Sequence, residues 1–325
     1  MKVRAEVIII GGGFAGLSAA IYLGRAQRDV LVIDDVKSMG RWEPKVQNFL
    51  GFPEGISGER LLERARRQAH RARARFKRDY VASARFKDGQ FHLQSKSGSY
   101  ACRRLLLATG IFHVPPDIPG VSACLGHSMF FCKDCDGVRV QKKRIAIYGW
   151  SNETAEYALA MLAYTHCVTI VTDGRAIGWD KQHADLLKRN NVEVQVKPIQ
   201  RLARDGSKLK ALLLTDGTKV EAQALFTTRG DIVYNDLARN LGAELDATGQ
   251  IVTDLSMRTS VKGLYAAGCL TEANCQMIIA AGQGAAAAQA INRELFEETW
   301  LRKPRRQLRR GLTSMSPRPT SNTPH

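Results

Sequence analysis

Residues 6–35, "EVIIIGGGFAGLSAAIYLGRAQRDVLVIDD", decide the fold. A continuous apolar run runs into three glycines, then into small and apolar residues at helical spacing, then into a second buried-type strand that ends in acid. That order is strand, tight turn, helix, strand. Gly11, Gly13 and Gly16 make a G-x-G-x-x-G, with Asp34 about twenty residues further on. Gly11 permits the tight turn, Gly13 lets a diphosphate approach the backbone, Gly16 lets helix and strand pack closely, and Asp34 faces ribose hydroxyls. The helix N-terminus, opened by Phe14 and Ala15, adds unpaired N–H donors and positive dipole. The stretch predicts a dinucleotide site without separating NAD from FAD.

The same grammar returns at "RIAIYGWSNETAEYALAMLA" (144–163) and "CVTIVTDG" (167–174), about 135 residues later. Apolar strands such as "RLLLATG" (104–110), "KALLLTDG" (210–217) and "ALFTTRG" (224–230) lie between and around the two units. The chain therefore reads as α/β with two Rossmann-like nucleotide-binding domains. Residues 263–297 read as a strand, a loop and a long Ala-rich helix that complete the first domain. With 325 residues, 44% hydrophobic, there is apolar material for two cores. No run reaches the roughly eighteen apolar residues of a membrane helix, and a cytoplasmic location is expected.

The formal net charge of +17 implies attraction to something acidic. The basic residues concentrate in "RARRQAHRARARFKR" (64–78), which reads as one helix with a polar face, and in residues 301–325, which read as a disordered tail. No aromatic interleaving suggests nucleic-acid binding. Seven cysteines are too few and too scattered for a secreted disulfide framework, so most are expected reduced. Only "CKDCDG" (132–137) holds a close pair, able to clamp a metal, staple a loop or shuttle electrons.

Five further segments resolve that choice: "NFLGFPEGISGERLLERARRQA" (48–69), "LLLATG" (105–110), "IPGVSACLGHSMFFCKDCDG" (118–137), "GQIVTD" (249–254) and "GLYAAGCLTEANCQMIIAAGQGAAAA" (263–288). In this order they resemble the low-molecular-weight thioredoxin reductase family of flavoproteins, over nearly everything except the tail. The resemblance implies a discontinuous FAD domain, residues 1–117 and 245–300, interrupted by a smaller domain, 118–244, that carries the dithiol. It also implies homodimers. FAD would lie against the first glycine loop, Thr109 and Gly110, Asn48, and the segment from Gly268 and Cys269 to Gln276, with Trp42 near its ring; Asp35 and Arg41 join this set. Cys135 would face the flavin and Cys132 the external disulfide, that of thioredoxin or a similar protein.

A zinc site needs a second ligand pair that the sequence lacks, and a permanent staple is not expected in a reducing cytoplasm, which leaves redox exchange for Cys132 and Cys135. An i, i+3 pair at a helix start can close into a disulfide, and a helix N-terminus lowers the pKa of a thiol there. Asp136, next to the pair, is the candidate acid/base, with helix capping as its plainer role. Cys269 stands where the family has Asp, and Cys275 where it has Arg. Both are expected to be inert buried thiols, with a redox relay as the alternative.

The second glycine loop departs most. It reads "GWSNETA": Trp150 and Ser151 replace glycines, Glu153 sets a carboxylate at the helix start, and Thr172, Asp173 and Gly174 stand where the family grips a 2′-phosphate with arginines. NADPH is not expected to bind, and NADH has only Asp173 to recommend it. The closest likeness is then to pyridine-nucleotide-independent branches, such as the deeply branching cyanobacterial diflavin enzymes. Trp150 would there stack on a second FAD, or plug the pocket. Ferredoxin or another acidic protein would donate electrons. The alternatives are a dithiol oxidase that delivers electrons to oxygen, and a flavin redox sensor with a nucleic-acid-binding tail.

Overall fold

The computed structural model describes residues 2–301 apart from Arg229, Ala273 and Asn274, so the expected tail beyond residue 301 lies outside the described residues. The opening run forms β1 (Lys2–Ile10), α1 (Phe14–Arg25) and β2 (Val30–Asp34), with β1 and β2 parallel from Val7↔Val30 to Ile10↔Ile33. Val7–Ile10 and Val30–Ile33 are continuous in Val, Ile and Leu because both faces of the sheet are covered there. α2 (Gly58–Arg71) starts at Ser57, whose hydroxyl accepts from Arg60 N.

The basic run 64–78 is not one helix. α2 stops at Arg71, Arg73 turns to φ +70°, and Arg75–Arg78 become β3, the sheet's edge strand beside β2. The cause is local alternation: Phe76 points inward beneath Arg66 (4.4 Å) and against His70 (5.3 Å), while Arg75, Lys77 and Arg78 face water. β4 (Val81–Lys87), β5 (Gln90–Ser95) and β6 (Ser99–Leu107) then meander antiparallel, and β6 returns alongside β1.

After β7 (Ile111–His113) the chain enters a second body. There β8 (Met129–Phe130), α3 (Lys133–Asp136), β9 (Ile145–Tyr148), α4 (Asn152–Met161), β10 (Val168–Val171), α5 (Lys181–Arg189) and β11 (Glu193–Gln195) build most of a parallel sheet. A three-stranded antiparallel sheet, β12 (Ile199–Asp205), β13 (Lys208–Leu214) and β14 (Lys219–Glu221), precedes β15 (Ala224–Thr227), which completes the order β11-β10-β9-β15-β8.

The way back is β16 (Asp231–Val233), paired antiparallel with β7, so the outgoing and returning chains form one short ribbon between the bodies. α6 (Asp236–Asn240) follows, and Leu237, Ala238 and Ala243 already pack into the first sheet's core. β17 (Leu264–Ala266) joins β6, and α7 (Met277–Phe296) lies across α1. The small residues of α7 bring it close: a side-chain carbon on Gly284 would stand 2.0 Å from Ala15 O. The architecture is thus α/β with two Rossmann-like domains, the second inserted into the first.

Candidate active site

A cavity of about 610 Å³ opens between the two bodies. Every candidate residue lines it except Gly16, Arg41 and Trp150. The first glycine loop forms one wall. Gly11 takes φ +107°, and a Cβ there would lie 2.2 Å from Ala108 O, so only glycine makes this turn. Gly16 sits behind the wall, its missing Cβ position 2.0 Å from Gly11 O, which is the close packing foreseen for it.

The head of α1 is left open. Its N-cap is Gly13, with no side-chain cap, so the first amides of a twelve-residue helix point at the cavity unsatisfied by any side chain of their own. Asp34, 7% exposed, spends one carboxylate oxygen on Gly12 N (3.0 Å), with the other 3.4 Å from Arg66 Nη1, and thereby braces the loop. Among the described residues its neighbour Asp35 bonds to Lys37, through the Lys37 amide and ammonium. Arg41 pairs with Glu59, and its buried Nε finds no partner among the described residues, beside a small hollow shared with Gly12 and Ser38. An open helix head, a glycine cradle and an orphaned donor are what a dinucleotide diphosphate and its ribose need, so the residues fit FAD.

The opposite wall carries the dithiol. Cys132 and Cys135 are joined as a disulfide, both half-buried, at the head of α3. α3 is a single turn, so the expected help from a helix dipole is small, and direct donors take its place. Cys135 N donates to Cys132 Sγ (3.0 Å), and Gln276 Nε2 reaches both sulfurs at 3.3 Å. Gln276 belongs to the first body and is itself oriented by Asn48 Nδ2, which donates to Gln276 Oε1 at 2.9 Å. Asn48, Gln276 and the sulfurs thus form one chain across the cavity. Thr109 is fixed separately, its hydroxyl donating to Tyr234 O (2.7 Å), and Trp42 stands edge-on to Phe112.

Asp136 is buried, and burial pushes its carboxyl up while Arg139, at 2.8 Å, pulls it down. The same guanidinium contacts Glu43 Oε1 at 3.3 Å. Glu43 also lines the cavity, and burial first, then the nearby Asp136 charge, push its pKa up to about 7. Two carboxyls sharing one arginine therefore hold a proton near neutral pH. Glu43 is absent from the sequence expectations, because nothing in its spacing marks it.

Cys269 and Cys275 require a correction. They are not separate thiols: they form a second disulfide, and both residues line the same cavity. Of the seven cysteines only Cys102, Cys124 and Cys167 are free. The C-x5-C spacing was the available signal, and a glycine-rich helix start without a metal motif gave no reason to read it.

The second glycine loop is closed on itself. Ser151 Oγ accepts from Thr154 N, and Thr154 Oγ1 accepts from Ser151 N, a reciprocal box that takes up two N–H groups at the head of α4. Burial, followed by Asp231 and Glu156, raises the carboxyl of Glu153 beside it. Asp173 is turned inward, accepting from Ile199 N (2.6 Å) and Tyr148 OH (3.1 Å). Trp150 lies edge-on to Tyr148 with the Arg175 guanidinium 5.2 Å over its ring.

The pattern that defines the pyridine nucleotide-disulphide oxidoreductases matches residues 5–288. Thioredoxin reductase of Treponema pallidum is 32% identical over 89% of this chain and 97% of its own length, and that of Mycolicibacterium smegmatis 28% over 90% and 97%. Among solved structures, HlmI superposes with a TM-score of 0.86 at 28% identity, covering 96% of this chain and 97% of its own. A putative thioredoxin reductase of Bacillus anthracis gives 0.84 at 28%, covering 91% and 100%. Fold, cavity, dithiol and likeness agree: the chain belongs to the pyridine nucleotide-disulphide oxidoreductase family and is a flavoprotein disulfide oxidoreductase of thioredoxin reductase type.

Proposed function

We propose that this chain passes electron pairs between FAD and a protein disulfide through Cys132 and Cys135, and that its electrons come from a donor other than NADPH. The second clause rests on one observation above all. At the head of α4, where a pyridine dinucleotide's diphosphate would sit, a side-chain box already occupies the Ser151 and Thr154 amides. Burial first, then the charges of Asp231 and Glu156, raises the Glu153 carboxyl, so acids gather where a diphosphate would need positive charge. Asp173, the one residue that recommended NADH, is committed to Ile199 and Tyr148. Trp150, capped by Arg175, reads as a filler rather than a platform for a second flavin.

FAD, when bound, would supply a second two-electron carrier, the one that refills the dithiol after each turnover. The chain does the rest. Cys132, as thiolate, attacks the substrate disulfide and forms a mixed disulfide, releasing one substrate thiolate. Cys135 then attacks Cys132 Sγ, closes the pair and releases the second thiol. Gln276 Nε2 holds both sulfurs, and the proton kept by Asp136 and Glu43 is available to the departing thiolates. Thioredoxin or a similar protein is the disulfide, in line with the thioredoxin reductases among the relatives. Ferredoxin or another acidic donor suits the net charge of +17 and the exposed Arg60, Arg64, Arg67 and Arg71 of α2. A homodimer is part of the same reading.

With the flavin reduced chemically under argon, the wild-type protein should reduce oxidised thioredoxin. Cys132→Ser and Cys135→Ser should each slow this by roughly 10³-fold while keeping the flavin. Undiminished turnover in either variant overturns the relay, and peroxide release from a dithiol in air with no thioredoxin reduction reverses its direction.

A further inference from the structure

The cavity holds more sulfur than a single relay requires. Cys269–Cys275 lines it together with Cys132–Cys135, and one residue connects the two pairs: Gln276, the chain neighbour of Cys275, whose amide reaches both sulfurs of the first disulfide at 3.3 Å. We infer that Cys269–Cys275 is a second redox-active disulfide, exchanging an electron pair with Cys132–Cys135 across this cavity.

A structural staple explains the bond poorly. It closes a loop with a sequence separation of only 6, where the gain from restricting the unfolded chain is at the small end. The segment is also held without it. Gly268 N donates to Gln283 Oε1 (2.8 Å), and Gln250 Nε2 donates to the carbonyls of Cys269 (3.1 Å) and Thr271 (2.7 Å). The Cys269 side of the loop is therefore held by hydrogen bonds that do not depend on the S–S bond.

The surroundings instead favour sulfur chemistry. Cys275 lies two residues before α7, a twenty-residue helix whose N-cap, Gln276, makes no side-chain cap, so the positive end of the helix dipole favours a thiolate at its head. Both cysteines are half-buried and line the cavity, whereas the free Cys102 and Cys124 are buried. Burial pushes the Cys102 thiol up to about 12, the behaviour of a thiol that takes no part in exchange. The exchange balances within the chain: the Cys132 and Cys135 thiols give up two electrons and two protons as their S–S bond forms, and Cys269–Cys275 takes up two electrons and two protons as its bond opens. The chain would then store one electron pair more than a single-dithiol flavoprotein.

The inference rests on the redox reading of the first pair, and the test keeps the two apart. Holoprotein purified in air is reduced stepwise under argon with dithiothreitol, quenched by alkylation at each step, and mapped by mass spectrometry. Total reductant uptake is measured for the wild type, Cys269→Ser/Cys275→Ser and Cys132→Ser/Cys135→Ser. Both pairs should start oxidised and become alkylated over the same range of reductant, and each double variant should take up one two-electron equivalent less than the wild type. The inference is overturned if Cys269 and Cys275 stay unalkylated where Cys132 and Cys135 are fully labelled, or if Cys269→Ser/Cys275→Ser takes up as much as the wild type. Flavin content and melting temperature of the variants show that they are folded, and the wild-type alkylation map stands independently of them. If only the Cys132→Ser/Cys135→Ser protein matches the wild type, the failure belongs to the relay proposed above.

Discussion

The chain contains two versions of one device, a glycine turn between a parallel strand and a helix, and they have been finished in opposite ways. At α1 the cap is Gly13, without a side chain to offer, and the helix head faces a cavity of about 610 Å³. At α4 the cap is Ser151, bonded reciprocally to Thr154, with Trp150 and Glu153 on either side. The same backbone motif thus starts a helix without a side-chain cap in one domain and with a reciprocal side-chain cap in the other. A helix head binds a diphosphate only while its amides lack other partners, so capping is as informative as the glycines themselves.

The largest expected effect breaks the open side. Gly11→Val places a branched side chain at φ +107° with its Cβ 2.2 Å from Ala108 O, so flavin affinity should fall by about 100-fold or more, read as the absorbance ratio of flavin to protein after gel filtration. A variant that keeps its full yellow colour would remove the first loop from the site. Next, the closed side can be opened. Trp150→Gly, Ser151→Gly and Glu153→Ala together free the head of α4, and anaerobic flavin bleaching by NADPH should rise by about 10-fold. No change in bleaching would mean that the obstruction lies elsewhere.

The smallest effect concerns the acid pair behind the dithiol. The pKa of Glu43 is raised in the fold to about 7, so between its ordinary 4.5 and that value the folded chain binds more protons than the unfolded one. Its contribution to stability is therefore full below pH 4.5 and is lost as pH rises through about 7. Glu43→Gln should equal the wild type at pH 4 and exceed it at pH 8 by on the order of 1 kcal/mol, measured by urea denaturation at both pH values. A larger deficit for the variant at pH 8 than at pH 4 would contradict the assignment.

What could be read from the sequence follows the range of the forces involved. The two βαβ units were legible, because buried parallel strands must be continuous in apolar residues and glycine turns have few substitutes, whereas the insertion of one domain into the other was implied by the family resemblance. The basic run 64–78 misled because charge was uniform along it, while the break at Arg73 depends on Phe76 finding the sheet. Asp136 and Arg139 are three residues apart, but Glu43 lies far from both in the chain and joins them only through folding. Cys269 and Cys275 are near neighbours in sequence, but a C-x5-C spacing has no chemistry of its own until the fold turns both residues toward one cavity.

The most direct measurement of the contrast between the loops is anaerobic stopped-flow of the air-oxidised holoprotein with NADPH, followed by the flavin absorbance, with dithionite as the positive control. The account predicts full bleaching by dithionite and no bleaching by NADPH on the timescale of thioredoxin turnover. Rapid, complete bleaching by NADPH would show that the capped helix of the second domain binds the nucleotide after all.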